Sequence, residues 1–306
     1  MKNNIKLFAF AAILVSCETE VLTTSEEESA AADSCAINTE VSTDNIWKAL
    51  NPYENLIYPP RARKTRADEV LAGAAYVFNS DDALCGAKLI KGYPVDNFYV
   101  SITHVEGSYT QYYICGMPES TVVVNASVTS TTAIPFPDEV YNMYIGSATF
   151  DITQSQRAYD TSITIKHLIS QLGLTITGVP ETVESIECEL PNQATHYSPT
   201  GVLTGDTKSV TIPLAKAGSG KWGVTSTNVY PCADAATKMT IKVKVKYSNQ
   251  EAPVTYTTTT SDVCKRNQQI VLSTSLAAIS NTNVIVDDGW EQTVEGKIDL
   301  GEGTTE

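Results

Sequence analysis

A strict two-residue alternation over residues 239–247 constrains the fold of this chain more than any other feature. Lysine and threonine alternate with apolar side chains, which are Met239, Ile241, Val243, Val245 and Tyr247. A period of two is typical of a β-strand with one buried face and one solvent-exposed face. Residues 248–251 then predict a turn, and residues 254–260 return as the second strand of a hairpin. The chain is therefore expected to contain an amphipathic antiparallel sheet.

From residue 67 onward the whole sequence has the character of a β protein. Gly and Pro recur between short segments rich in Val, Ile, Thr and Tyr, and no segment longer than about twelve residues keeps a helical period. Short strands separated by turns predict β-sandwiches. A weak region near residues 153–157 predicts a boundary between an N-terminal domain at 67–155 and a C-terminal domain at 156–306. Further strands are expected at residues 97–103, 109–115, 121–128, 162–169, 172–177, 183–190, 209–212 and 269–274.

Residues 1–17 have the order of an export signal. Lys2 and Lys6 precede an apolar run, and the small Ser16 precedes Cys17. This is the order of a signal peptide, and the run is too short for a bilayer span, which takes about 20 residues. A cysteine directly after the small residue resembles the lipobox of bacterial lipoproteins, which implies that Cys17 becomes a lipidated N-terminus. The alternative is an ordinary signal peptide with a chance cysteine.

Residues 18–66 differ in charge from the rest of the chain. Acidic side chains dominate as far as Glu54 and predict a polar tether or prosegment. The charge reverses in residues 59–66, where two prolines and four basic residues predict an extended basic loop. Such a loop is either a protease target or a solvated linker, and the residues alone favour neither.

The net charge and the cysteines limit the partners of the chain. A net charge of −14 at pH 7 argues against nucleic-acid binding, because the phosphates would be repelled, and against attraction to anionic lipid headgroups. An even number of cysteines follows Cys17, which permits disulfides in an exported chain. We expect at least one disulfide, and buried free thiols are the alternative. These cysteines are Cys35, Cys85, Cys115, Cys188, Cys232 and Cys264.

Patterns for catalysis or metal binding are not found in the sequence. The three histidines, His104, His167 and His196, are far apart and lack the H-E-x-x-H spacing of zinc sites. His167 lies in an apolar stretch and is expected to pack in a core. The nucleophile motif G-x-S-x-G is also missing. We therefore predict a protein that is not an enzyme and that has no metal and no cofactor. The widely separated Trp47, Trp222 and Trp290 favour core or interface packing over a shared sugar-binding platform.

Two regions give the chain a resemblance to a known family. Residues 140–146 and 162–176 combine alternating apolar positions with a histidine, and residues 284–290 end an apolar strand at a tryptophan. The second of these segments contributes Ile163, Ile165, His167, Leu168, Ser170, Leu172, Leu174 and Ile176. Together with the lipobox and the arginine cluster, these segments resemble the fimbrillin family of Bacteroidales surface fimbriae.

The resemblance implies a fold and a route of assembly. The fold would be two transthyretin-like β-sandwich domains in tandem. Subunits of this family are exported as lipoproteins and cut after an arginine, which implies processing at Arg63 or Arg66. The N-terminal strand then leaves a groove that a neighbour's C-terminal strand fills, with Val294, Ile298 and Leu300 as the pocket-filling residues. Partners would be other fimbrial subunits and, for an adhesive subunit, a host or bacterial surface receptor.

Two functions from different classes remain open at this stage. One is a structural or adhesive subunit of a surface fimbria, and the other is an outer-membrane glycan-binding lipoprotein with β-sandwich modules. An exported hydrolase is a weaker third alternative. The number of cysteines exceeds that expected of a typical shaft subunit, so that accessory, tip and anchor roles remain open.

Overall fold

The computed structural model describes residues 34–43, 70–233, 239–259, 265–276, 283–284 and 304–305. Within these ranges the chain is almost entirely strand, with one short 3₁₀ helix at Glu119–Thr121. This confirms the predicted all-β fold. The strands are β1 (Ser34–Thr43), β2 (Leu71–Asn79), β3 (Leu84–Lys91), β4 (Asn97–Thr103), β5 (Gly107–Pro118), β6 (Ile134–Pro135), β7 (Tyr144–Ile152), β8 (Ala158–His167), β9 (Ser170–Thr177), β10 (Val183–Tyr197), β11 (Leu203–Pro213), β12 (Ala215–Gly218), β13 (Lys221–Val229), β14 (Thr240–Tyr247), β15 (Val254–Thr259), β16 (Gln269–Ser275), β17 (Asn283–Val284) and β18 (Thr304–Thr305).

The first sheet curls around its own core. Its strand order is β3-β2-β5-β7-β8-β1-β4, and its two edge strands come together. A Cβ atom at Gly86 of β3 would lie 2.7 Å from Cγ2 of Ile102 on β4, so only glycine permits this approach. The Lys88 ammonium of β3 lies 3.2 Å from the centre of the Tyr99 ring of β4. The enclosed core includes Ile37, Val77, Val100, Tyr113, Tyr144, Phe150 and Ile163.

The second and third sheets pack face to face as a sandwich. The second has the order β11-β10-β14-β15-β18, with β6 paired to β10, and the third has the order β12-β13-β9-β16-β17. Side chains of β9, β10, β14 and β16 interleave between the sheets, which buries their apolar faces. The core between them includes Leu172, Leu174, Ile186, Leu190, Ile241, Val243, Val245, Ile270 and Leu272.

Strand β14 has the faces that its alternation predicted. Val243 and Val245 point into the sandwich core. On the opposite face, the Lys244 ammonium lies 2.8 Å from a carboxylate oxygen of Glu189 on β10. Strand β15 follows as its antiparallel partner. The predicted hairpin and its inward face are therefore confirmed.

A further core joins the outer face of the first sheet to the sandwich. Residues 119–143 cross this junction, and the Tyr230 hydroxyl donates to the carbonyls of Pro137 at 2.7 Å and Glu139 at 2.8 Å. The predicted strand at 121–128 is wrong, since these residues make local turn bonds and pack their side chains without strand partners. The joining core includes Tyr76, Ile114, Met117, Ile134, Phe136, Tyr141, Met143, Ala194, Tyr197 and Tyr230.

The chain leaves the first sheet later than the boundary expected after residue 155. Strand β8 still pairs with β1 and β7, because Ile163 and Ile165 fill the core of the first sheet. The crossing to the third sheet takes place between His167 and Ser170. Strand β1 also belongs to the first sheet, although it lies within the expected prosegment at 18–66.

Candidate assembly site

Strand β1 is held on both of its edges inside the first sheet. It runs parallel to β8 along residues 36–43 and antiparallel to β4 along residues 34–40. Near its ends, the Ala36 N–H donates to the Arg157 carbonyl at 3.0 Å, and the Val41 N–H donates to the Asp96 carbonyl at 2.8 Å. Removing β1 would therefore leave two unpaired strand edges that face each other across a groove.

The side chains of β1 alternate between a buried and an exposed face. Cys35 and Ile37 are both 0% exposed. Beyond them on the opposite face, Asn38, Glu40 and Ser42 are exposed. The buried side belongs to the core of the first sheet. Strand β1 therefore supplies part of that core and does not merely cover it.

A polar contact lies within the buried face of β1. The Thr39 hydroxyl donates to Oε1 of Gln111 on β5 at 2.9 Å. Thr39 is 2% exposed and Gln111 is 0% exposed, and the neighbouring inward residues of β5 are Tyr109 and Tyr113. Nε2 of Gln111 has no hydrogen-bond partner among the described residues. Thr39 is the side chain that satisfies the carbonyl oxygen of Gln111.

Two polar contacts hold the exposed face of β1 against β8. Asn38 Nδ2 donates to Oδ1 of Asp160 at 2.9 Å. Ser42 Oγ and Thr164 Oγ1 lie 3.1 Å apart. Cross-strand pairs of this kind contribute roughly 0.2–1 kcal/mol each. Backbone pairing and the buried face therefore dominate the attachment of β1.

The residues that the sequence marked for processing and donation lie outside the described residues. These are Cys17, Arg63, Arg66, Val294, Ile298 and Leu300. In sequence, both arginines fall between the end of β1 and the start of β2. Sequence analysis missed β1 itself, because acidic composition outweighed the alternation from Cys35 to Ser42. That alternation was the signal that could have located the strand.

The histidines are dispersed and do not form a site. His167 packs its ring against Tyr144, with ring centres 4.7 Å apart, and its burial lowers its pKa to about 3. The prediction that His167 is a packing residue is confirmed. His104 contacts the Thr153 carbonyl and His196 contacts Thr195. Across the described ranges, no group of three or more His, Cys, Asp or Glu side chains is placed to hold a metal ion.

Four of the predicted disulfide candidates are free thiols. Cys35, Cys115 and Cys188 are buried, and Cys85 is partly buried. Burial raises the pKa of the Cys115 and Cys188 thiols to about 12, so both are protonated at neutral pH. These residues behave as small apolar side chains, and a disulfide among the four is not supported. Cys264 lies outside the described residues, and the wider prediction of a disulfide stays a prediction.

A depression of about 260 Å³ lies at one end of the sandwich. Its lining includes the partly buried Trp222 together with Glu181, Lys216 and Ser219. The hydrogen bond from the Val179 N–H to the Gly220 carbonyl joins the two loops that form its walls. An aromatic face flanked by an acid, a base and a hydroxyl is compatible with a small polar ligand.

In the described part of the chain, no helix is long and apolar enough to cross a membrane.

Comparison with solved structures identifies proteins of the same fold. The fimbrial anchor protein Mfa2 from Porphyromonas gingivalis is 12% identical, covers 86% of this chain and all of its own length (100%), and superposes with a TM-score of 0.56. A structure of candidate polysaccharide binding proteins from Bacteroides thetaiotaomicron is 10% identical, with 85% of this chain and 98% of that chain covered and a TM-score of 0.50. No protein-family model matches the sequence, and no curated protein matches it.

At these identities, the likeness concerns the fold alone. It extends over nearly the full length of both solved chains, so that it includes the first sheet as well as the sandwich. The predicted resemblance to fimbrillin-type proteins is thereby confirmed at the level of the fold, and this chain has the all-β architecture of the fimbrial anchor protein Mfa2.

Proposed function

We propose that this chain is a structural or adhesive subunit of a bacterial surface fimbria, exported as a lipoprotein through Cys17. Its assembly would proceed by exchange of strand β1 after cleavage at Arg63 or Arg66. Its partners are other fimbrial subunits, and an adhesive subunit would in addition bind a surface receptor. Its location is the cell surface, first on the outer membrane and then in the fimbria.

The observation that carries this proposal is the position of β1 in the chain and in the sheet. The strand lies between the lipidation candidate Cys17 and the two arginines in sequence, yet it is an interior strand of the first sheet. A cut at either arginine would end its covalent link to the body. Strand β1 would then be held by non-covalent contacts alone, which are its backbone pairing, its buried side chains and the polar contacts to β8.

Departure of β1 would create a site for strand addition. The edges of β4 and β8 would present unpaired backbone groups, and the core of the first sheet would lose a row of buried side chains. An added strand restores both, since main-chain bonds give affinity and alternate side chains fill the pockets. The uncut chain fills its own groove, which would keep it monomeric before processing.

The proposed donor is the C-terminal segment of a neighbouring copy. The sequence separations within this segment are even, four residues from Val294 to Ile298 and two from Ile298 to Leu300. All three side chains would therefore fall on one face of a strand. Such a face would fill the inward positions of the groove except the one at Gly296, which has no side chain. The C-terminal strand of one copy would contact the groove of the next, so each contact joins two different surfaces and is heterologous. Contacts of this kind that do not close into a ring give an open filament.

The test compares three chains before and after treatment with an arginine-specific protease. They are the wild type, an Arg61/Arg63/Arg66→Ala variant and a chain that ends at Trp290. Size-exclusion chromatography and unheated SDS gels report assembly. Only the treated wild type is expected to form ladders, because the second chain keeps β1 attached and the third lacks the donor segment. Ladders from the arginine variant would show that cleavage is not the trigger.

Membrane attachment is tested separately. Cys17→Ser is expected to abolish the incorporation of labelled palmitate and to release the protein from membranes. Unchanged labelling would refute lipidation at this cysteine. A lipidated wild type that keeps β1 and remains uncut on cells would favour an anchor role over a shaft role.

Glycan binding by the surface lipoprotein is the second candidate function, favoured by the depression at Trp222. An aromatic ring beside charged and hydroxyl side chains can stack on a sugar ring while the polar groups bind its hydroxyls. Affinity electrophoresis in polysaccharide gels measures this. Retention of the wild type that is lost in the Trp222→Ala variant would favour the glycan function. Equal mobility of the wild type and the variant in every polysaccharide gel would exclude the depression as the glycan site.

A further inference from the structure

Alternation of apolar side chains does not by itself fix the register of a strand in the β1 groove. A slip by one residue would turn the buried face to solvent and is excluded by the apolar core. A slip by two residues keeps the same face inward and preserves the pattern of backbone hydrogen bonds, with pairs lost only at one end of each ladder. The groove therefore needs another feature to distinguish the correct register from its nearest competitors.

Gln111 provides that feature. It is the polar residue on the inward face of β5, flanked by Tyr109 and Tyr113, and its side-chain carbonyl is satisfied by the Thr39 hydroxyl. A two-residue slip of β1 would place Ile37 or Val41 opposite Gln111. Neither side chain can donate a hydrogen bond, so the buried amide would lose the partner it has.

We propose that Gln111 is the specificity-determining residue of the β1 groove. It holds β1 in register through the Thr39 hydroxyl, and it disfavours β1 shifted by two residues or a strand with no hydroxyl at that place, such as the proposed donor face of Val294, Gly296, Ile298 and Leu300. A single buried polar position is known to set register in this way in coiled coils, at some cost in stability. The part that concerns an incoming strand rests on the function proposed above.

The first experiment measures the coupling of the pair in the intact, uncut chain. Thr39→Val, Gln111→Leu and the double variant are compared with the wild type by urea unfolding. Each single change leaves one buried polar group without its partner, whereas the double change removes both, so the two effects are expected to be non-additive. Additive effects would overturn the proposal. If Gln111→Leu fails to fold, Gln111→Met offers a side chain of similar length without hydrogen-bonding atoms.

The second experiment tests selection among strands. The full chain is cut with the arginine-specific protease and challenged with labelled peptides of residues 34–43, either unchanged or with Thr39→Val. Fluorescence polarisation reports which peptide displaces the bound strand. The unchanged peptide should bind the wild-type groove about tenfold more tightly, which corresponds to about 1.4 kcal/mol. The order should reverse in the Gln111→Leu chain.

A matched control lies next to Gln111 on the other face of β5. Thr110→Val removes a hydroxyl that contacts Thr149 on the exposed side, and it should leave the peptide ranking unchanged. If the wild-type and Gln111→Leu grooves rank the peptides identically, Gln111 is not the selector. If the pair is coupled in the uncut chain but no peptide enters the cut chain, strand exchange fails while the register role of Gln111 toward β1 stands.

Discussion

Strands β14 and β1 are both interior strands with one buried face, but they obtain their partners in different ways. Strand β14 pairs with β15, the next strand in the chain, and with β10. Strand β1 pairs with β4 and β8, which lie far along the chain, and residues 44–70 separate it from β2. The inward face of β14 is aliphatic from Ile241 to Val245, whereas that of β1 includes a thiol and the Thr39 hydroxyl.

Under the assembly proposed above, this difference would separate a strand that builds the fold from a strand that is exchanged. A hairpin strand forms with its neighbour at low loop-closure cost and cannot leave without unfolding the sheet. Strand β1 joins strands that are remote in sequence, and among the described residues it is the strand with which β4 forms its ladder. If β1 leaves as proposed above, another strand with a similar side-chain pattern would have to take its place between β4 and β8.

The largest loss of stability is expected from a charge on the buried face of β14. Val243→Asp would place an unpaired carboxylate in the sandwich core, where Val243 is buried, and should cost about 4 kcal/mol or more. Urea unfolding measures the loss. Lys244→Gln, on the opposite face of the same strand, should change the free energy of unfolding by less than about 1 kcal/mol. Equal losses of stability for the two variants would mean that the buried and exposed faces of β14 are wrongly assigned.

Locking β1 to β8 should abolish assembly while leaving the fold intact. Ser42 and Thr164 are register partners on the exposed face with their oxygens 3.1 Å apart, which suits replacement by a disulfide. The oxidised Ser42→Cys/Thr164→Cys chain, once cut, should form no ladders on unheated gels, and reduction should restore them. The Ser42→Cys single variant is the control. Ladders from the oxidised double variant would show that β1 does not need to leave.

Equal truncations in the two strands should have equal costs but different consequences. Ile37→Ala in β1 and Ile241→Ala in β14 each remove a side chain that is 0% exposed, and each should cost about 2–5 kcal/mol. After the arginine cut, only Ile37→Ala should hasten loss of the N-terminal fragment. Size-exclusion chromatography followed over time measures that loss. The distinction between fixed and exchangeable strands fails if both variants shed the fragment at the same rate.

Sequence alone predicted the sandwich better than the first sheet, for a physical reason. Strand β14 and its hairpin were predictable because alternation and turn chemistry are local. Strand β1 was not, because an acidic flanking segment hid an alternation whose partners are remote. The Thr39–Gln111 pair was also beyond reach, since a lone threonine and a lone glutamine carry no pattern until the fold brings them to 2.9 Å. The free thiols show the same limit, because an even count of cysteines does not reveal which of them lie within bonding distance.

The smallest expected effect concerns the charged face of β14 and depends on pH. The hydrogen bond from Lys244 holds the pKa of the Glu189 carboxyl below its ordinary value. A lowered carboxyl pKa stabilises the folded state above the unfolded pKa of about 4.3, and that contribution is lost as the pH falls through the folded value. Lys244→Gln should therefore cost less than about 1 kcal/mol at pH 7 and nothing measurable once Glu189 is protonated. Urea unfolding of both chains at neutral and at strongly acidic pH measures this, with Lys242 retained in both as the second cation near Glu189. A difference that persists unchanged in acid would mean that Lys244 stabilises β14 through packing of its methylene chain and not through its charge.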